Sequence, residues 1–407
     1  MDKVINKITI FFYLSLASFP LMRANINSIF IIFCCLFAIY DFLKNKKKFV
    51  LNTKIIGLTS VFWMFLFKEI VSSDFNITII LLHLPFLILP FLFFFKPDFI
   101  NDEIKKKSLF IFQISVFIQT IIYLIVFLKK YNIDQLFSIN NYKIPLFRTY
   151  VFDNTNVEIH PTYFSAFLLC SFTISLFVGL KSKLKKHLLF QLINICFTLF
   201  FISVFVSKII IIILFFTVIL YVVIEIKNKN NILKTISLIL FFGAFTLFGF
   251  KNLLKERFYE INSEINKPIE GDYHNSINIR VAIIKCSLNL LKKVPILGYG
   301  QNLQKKLNDC YKTNNNSNFH TLATYNTHNY YFNLVLYGGW LFLLFFLSYI
   351  YYIFFKIKYP KIIIVILIQV LLINSTENFL SRHHGILLFM YFISLFLIPK
   401  KTLKNFS

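Results

Sequence analysis

The sequence predicts an all-α polytopic membrane protein, and three observations carry that prediction. Of the 407 residues, 57% are apolar and only 15% are charged, against roughly 25% charged in an average soluble domain. The apolar residues gather in runs near the ~20 residues that a helix needs to cross a bilayer. Basic residues sit in short clusters between those runs. A single water-soluble globular domain is excluded, because it needs far more polar surface. A disordered chain is excluded too, because it needs low hydrophobicity. The net charge of +25 would suggest a nucleic-acid partner in a soluble protein. Here it reads as topology, and no nucleic acid is expected.

Twelve runs qualify as spans, near 4–21, 25–43, 55–72, 77–95, 108–128, 160–180, 188–206, 209–226, 232–250, 328–355, 361–376 and 383–398. The first follows Lys3 and Lys7 and lacks a small-x-small cleavage site, so it is expected to stay as an uncleaved span. Most lysines fall in one alternate set of connections: the N-terminus, 44–54, 96–107, 181–187, 227–234, 356–361 and the C-terminus. The other set, excluding the long segment 251–327, holds only Arg23, Lys129, Lys130, Lys143, Arg148, Lys208 and Arg382. Positive charge marks the cytoplasmic side, which places both termini in the cytoplasm. The expected organisation is spans one to nine over 1–250, a periplasmic loop over 251–327, and spans ten to twelve over 328–407. No repeat of 20–50 residues is evident, and ten glycines in the whole chain argue against a transporter built from broken helices.

Of the six cysteines, Cys34, Cys35, Cys170 and Cys196 lie inside spans and read as small apolar residues. Cys286 and Cys310 share the long outer loop, where an oxidising compartment could pair them; the sequence leaves that open. No Cys/His spacing resembles a zinc site and no acidic cluster suggests a divalent metal, so neither metal nor cofactor is expected.

Within the long loop, 277–294 has apolar residues at helical spacing: Ile277, Val281, Ile284, Leu288 and Leu291. Lys285, Asn289 and Lys292 flank that stripe on one side and Arg280 on the other. Such a helix can simply lie on lipid headgroups. Arg280 also has the planar fork of donors that suits a phosphate. Pro295 ends the pattern, and a turn containing Gly298 and Gly300 follows. The polar run 314–318 reads as a solvated loop. Span ten then begins with Asn326 or Thr327 as its expected N-cap and His328 in its first turn. A helix N-terminus there would favour an anion.

Arg280, then Pro295-x-x-Gly298-x-Gly300, then His328-Asn329, and nine residues later Gly339 resemble the C-terminal signature of the O-antigen ligase and polymerase superfamily. The run Glu377-x-x-Leu380-x-Arg382-x-x-Gly385 resembles the end of ligase-like members from Bacteroidetes. Two positions depart from the pattern. Phe342 stands where a small residue or Tyr is usual, and Ser207-Lys208 stands where many members carry an Arg. The lysine keeps the charge without the bidentate fork.

The resemblance implies a membrane-embedded, metal-independent glycosyltransferase of the GT-C type. Its donor would be an undecaprenyl-diphosphate-linked glycan in the outer leaflet, and its acceptor a lipid A core or a similar lipid or sugar. His328 would be the base. Arg280, Lys208 and Arg382 would meet the charge growing on the leaving diphosphate. Asn329, His160 and Glu377 are further candidates for acceptor or diphosphate contact, although His160 also suits helix-start packing and Glu377 with Arg382 also suits a structural ion pair. Lys68-Glu69 can be read as a functional intramembrane pair or a self-neutralising one, and His83 as an interior residue. Rival functions are a repeat-unit polymerase and a protein O-oligosaccharyltransferase of the same superfamily, and, from another class, a flippase or exporter without catalysis.

Overall fold

The computed structural model describes residues 2–46, 53–72, 74–138, 145–155, 157, 159–181, 184–225, 237, 240, 259, 263–271, 277–356 and 359–396. In lipid every backbone N–H and C=O must be satisfied within its own segment, which favours helices. Accordingly the described elements are helical, and the one β contact among the described residues is an isolated bridge between Glu270 and Asn316. Among the described residues seven helices are long and apolar enough to cross a membrane: Lys3–Leu21, Ala24–Lys44, Ile77–Phe94, Asp102–Leu128, Pro161–Lys181, Lys185–Phe205 and Lys208–Glu225. Trp340–Phe355, Lys361–Ile373 and His383–Leu395 are shorter apolar helices. Thr53–Val71 adds a helix of 19 residues that carries Lys54, Lys68 and Glu69. The chain is a multi-pass membrane protein. The ninth expected span, 232–250, lies outside the described residues except for 237 and 240.

The hub is the helix opened by Pro161, in which every residue from Pro161 to Phe177 is buried. It packs against the helices 102–128, 185–205, 208–225 and 361–373. Polar side chains join these helices where lipid offers no hydrophobic drive. Gln113 donates to Ser175 and to Gln191, each at 2.8 Å. Gln369 donates to Thr173 at 2.7 Å and to Thr217 at 2.8 Å. Such bonds between membrane helices contribute about 0.6 kcal/mol each on average.

The expected span 328–355 is two helices, Tyr330–Gly338 and Trp340–Lys356, broken at Gly339. Gly339 has φ +82°, and a Cβ there would collide with the Ile296 carbonyl. Gly298, at φ +70°, faces the backbone of Tyr337 and Gly338 just as closely. The Tyr299 N–H donates to the Leu336 carbonyl at 2.7 Å. The two glycine motifs are therefore the two sides of one backbone-to-backbone contact, in which no side chain fits. Glu69 clamps the same place. It accepts from the Asn76 N–H at 2.8 Å, from the Gln301 amide at 3.0 Å and from the Tyr337 hydroxyl. Two of its partners are thus supplied by the glycine turn and the broken helix, so Glu69 acts as a tie between elements rather than only as a neutraliser of Lys68.

In the long loop, the helix Asn278–Leu291 lies against Leu303–Asn314, and a Cys286–Cys310 disulfide with Cα atoms 5.8 Å apart joins them. The structure thereby settles a pairing that the sequence left open. The run 314–318 does not stand free as a loop: Asn316 pairs with Glu270, and the Ser317 hydroxyl donates to the Gly271 carbonyl.

Because Gly339 combines a positive φ with zero clearance, Gly339→Ala should destabilise the protein by roughly 1–3 kcal/mol or more. A fluorescence melt of the detergent-purified variant checks this, and an unchanged Tm would refute the account of the contact.

Candidate functional site

The helix Asn278–Leu291 does not bury the stripe that its periodicity suggested. Ile279, Ala282, Ile283 and Cys286 face the interior, while Ile284 and Leu288 are exposed. The predicted stripe is rotated away from the core because the packed side is anchored by the disulfide and by the neighbouring helix. As a result Ile277, Val281 and Ile284 point, with Arg280, into a cavity of about 450 Å3.

A second segment is brought to the same place by hydrogen bonds. After the helix Lys361–Ile373 the chain turns through 374–381. The Asn374 carbonyl accepts from the Tyr330 N–H at 2.9 Å, and the Asn374 side chain accepts from the Leu380 N–H at 3.0 Å. Thr327 bonds Asn378 at 3.1 Å. Asn329 donates to the Ser375 carbonyl at 2.9 Å while its oxygen accepts from the N–H groups of Tyr331 and Phe332. Asn329, not Asn326 or Thr327, is thus the N-cap. His328 lies outside the helix, at φ +45°, with its N–H bonded to the Asn326 side chain at 3.0 Å. The expectation that His328 sits in a first helical turn is corrected: capping by Asn329 starts the helix two residues later.

These two arrangements meet at Glu377, which is 3% exposed. Its Oε1 accepts from Arg280 Nη2 at 2.7 Å, and its Oε2 faces His328 Nδ1 at 3.3 Å. Arg280 and His328, 48 positions apart in sequence, share one carboxylate. Burial alone would raise the Glu377 pKa. The hydrogen bond with His328 and the charges of Arg280, His328 and His160 outweigh it and bring the carboxyl down to about 2. The ion pair of Glu377 with Arg382 is not what forms. Arg382 is exposed, is the N-cap residue of the helix His383–Leu395, is not among the residues lining the cavity, and hydrogen-bonds Tyr163.

The cavity is walled by the starts of two helices and by the long loop. His160 and Pro161 come from one helix start, and Ser207 and Lys208 from the other. Arg280 and Glu377 close it, together with Arg148 from the helix Leu146–Asp153. Arg148 donates to Thr162 at 3.1 Å. His160 is held neutral: burial first, then the charge of Arg148, lower its pKa to about 4. Phe152, Ile209, Ile265, Ile277, Val281 and Ile284 supply an apolar wall. Three cations, two carboxylates (Asp153 and Glu377) and that wall suit an anionic headgroup joined to an apolar tail.

Of the residues singled out from sequence, Arg280, Lys208, His160 and Glu377 line this cavity, and His328 joins them through Glu377. Asn329 is spent on capping and on Ser375, Gly298 and Gly339 build the turn contact rather than the cavity, and Gly300, at φ +54°, faces the Lys68 side chain. Arg148 was missed as a site residue. The available signal was that it is the sole charge between Lys143 and Asp153 in a short amphipathic stretch. Among the described residues no group of three or more His, Cys, Asp or Glu could hold a metal ion.

Residues 165–347 match the family model described as O-antigen ligase. The match includes Lys208, Arg280 and His328 and stops short of Arg148, His160 and Glu377. No curated protein matches the chain.

Stability should fall in two acid steps. Unfolded His160 takes up a proton below its ordinary pKa of 6.5 and the folded residue only near 4, so stability drops as pH falls through that window. Unfolded Glu377 binds a proton below 4.5 and the folded residue only near 2, so the second loss lies between those values. Melts from pH 8 to 2 should show both steps, with His160→Gln reducing the first and Glu377→Gln reducing the second. A Tm that is flat over the whole range would contradict both assignments.

Proposed function

We propose, from a chain that carries an O-antigen ligase-like domain over residues 165–347, that it is a glycosyltransferase of the ligase kind. It moves a glycan from undecaprenyl diphosphate to a lipid A core or similar surface acceptor. The observation that carries this reading is the convergence of Arg280 and His328 on the buried Glu377 beside a cationic, apolar-walled cavity. The positive-inside bias of the connections supports a site on the periplasmic face of the inner membrane with both termini cytoplasmic.

The acceptor hydroxyl attacks the anomeric carbon of the donor sugar, and its proton passes to His328. Glu377 accepts from Nδ1–H, which fixes the tautomer and leaves Nε2 as the proton acceptor. As the new glycosidic bond forms, the bond between the anomeric carbon and the phosphate oxygen breaks. The leaving lipid diphosphate carries the growing negative charge, which Arg280, Lys208 and Arg148 meet in place. Glu377 takes one donor of the Arg280 guanidinium, and the remaining donors of that fork are geometrically suited to a phosphate. A single displacement inverts the anomeric configuration and needs no covalent nucleophile. His160, neutral and in the cavity wall, serves as a contact for acceptor or phosphate.

His328→Ala should lower kcat by roughly 10²–10⁴-fold, the usual share of general acid–base catalysis. Arg280→Ala should mainly weaken the donor, and Lys208→Arg should retain activity. Assays with purified protein and lipid-linked glycan check these outcomes. In cells, loss of a ligase leaves long chains on the lipid carrier and bare core, whereas loss of a polymerase leaves core bearing single repeats. Transfer that survives both His328→Ala and Arg280→Ala would overturn the enzymatic reading, and a deletion strain in which donor never reaches the outer leaflet would indicate a transporter.

A further inference from the structure

A second cavity, of about 360 Å3, lies on an adjoining face of the same helix. Ile265 and Val281 belong to the walls of both cavities. On the helix Asn278–Leu291, positions 277, 280, 281 and 284 face the first cavity, while 278, 281, 282, 285 and 289 face the second. At 100° per residue these are adjoining faces that meet at Val281. The two cavities are therefore neighbours around one helix, with Lys285 about one and a half turns and Asn289 about two and a half turns further along it than Arg280.

Their chemistry differs sharply. The first joins cations to an apolar wall. The second is lined by Asn266, Lys267, Lys285, Asn289, Asn314 and Asn315, all from the long loop and none from a membrane-spanning helix. Each Asn amide offers a carbonyl acceptor beside two N–H donors. That pairing matches vicinal hydroxyls, which both donate and accept. Asn314 is turned toward the Cys310 carbonyl and Asn315 toward the Tyr311 carbonyl, so the disulfide-linked pair of helices sets that side of the wall. Both of these bonds use the amide N–H groups as donors. Asn266 and Asn289 are exposed on the opposite side. The volume lies in the range of small-molecule sites, roughly 300–1,000 Å3.

We infer that this amide-lined cavity is a saccharide subsite, which holds sugar units of a glycan whose reacting end lies in the cationic cavity. The inference rests on the proposed transfer reaction for its placement. A lipid diphosphate held by Arg280 keeps its apolar chain at the membrane and directs its sugars away from it, toward the wall built by the long loop. An acceptor glycan approaching from the same side offers the same hydroxyls, so donor and acceptor are the two sources of one ligand chemistry.

The test uses full-length protein in nanodiscs with Asn289→Trp, which fills the cavity from an exposed helix position, and Asn266→Ala, which only removes an amide. The first readout is saturation-transfer NMR with free oligosaccharide released by mild acid from the producing strain's lipid-linked glycan. Wild type should transfer saturation to ring protons, and both variants should weaken the binding by about tenfold, the loss of one or two hydrogen bonds. The second readout is steady-state transfer. A raised KM for a long-glycan donor, with a single-sugar donor unaffected, assigns the subsite to the donor. A raised KM for the acceptor alone assigns it to the acceptor. Binding and both KM values equal to wild type in the two variants would overturn the subsite. If instead Arg280→Ala leaves transfer intact while the oligosaccharide binding and its loss in Asn289→Trp persist, the transfer mechanism fails and the saccharide subsite stands.

Discussion

One buried carboxylate organises the candidate site of this protein. Glu377 is withdrawn from water yet kept ionised, because an arginine from the long loop and a histidine from the segment before the broken helix both face it. A charge in that position is tolerable only when such partners are present. The carboxylate therefore fixes how three distant segments meet. It also leaves each partner with a free chemical surface: the unused donors of a guanidinium and the second nitrogen of an imidazole. The stitching around it, through Asn374, Ser375, Asn378, Thr327 and Asn329, holds the geometry without using the charged groups themselves.

The helix Asn278–Leu291 is the other organising element. It has three working sides: one packed inward and pinned by a disulfide, one turned to the cationic cavity, and one turned to the amide-lined cavity. Its exposed Ile284 makes sense as part of the wall of a site rather than as misplaced core. The glycine contact nearby has a comparable role for the backbone. Gly298 and Gly339 let the turn after this helix abut the broken helix directly, and Glu69 secures that abutment from below through Tyr337 and Gln301.

Much of this was legible in the sequence. Long apolar runs must become helices in lipid, and most of the described spans fall within a few residues of the positions read from hydropathy. The glycines, Arg280 and His328 were visible as a motif because each residue type has a restricted use. Other features were not legible. The break of 328–355 at Gly339 depends on the approach of the Ile296 carbonyl, which is contributed by another segment. The N-cap fell to Asn329 because Ser375 and the helix N–H groups engage its side chain together. The face of the helix Asn278–Leu291 was misjudged because periodicity locates an apolar stripe but not what covers it.

The sequence by itself determined the membrane-spanning, helical character of the chain, the alternation of lysine-rich and lysine-poor connections, and the residue types available for phosphate and proton chemistry. These follow from local composition, which acts over one helix or one connection at a time. Only the tertiary structure decided that Glu377 joins Arg280 to His328, that Arg148 and Lys208 share their cavity while Arg382 does not, and that Cys286 bonds Cys310. Each of those depends on segments far apart in the chain being brought within a few ångströms, and the packing of helices, not the character of any single one, sets that distance.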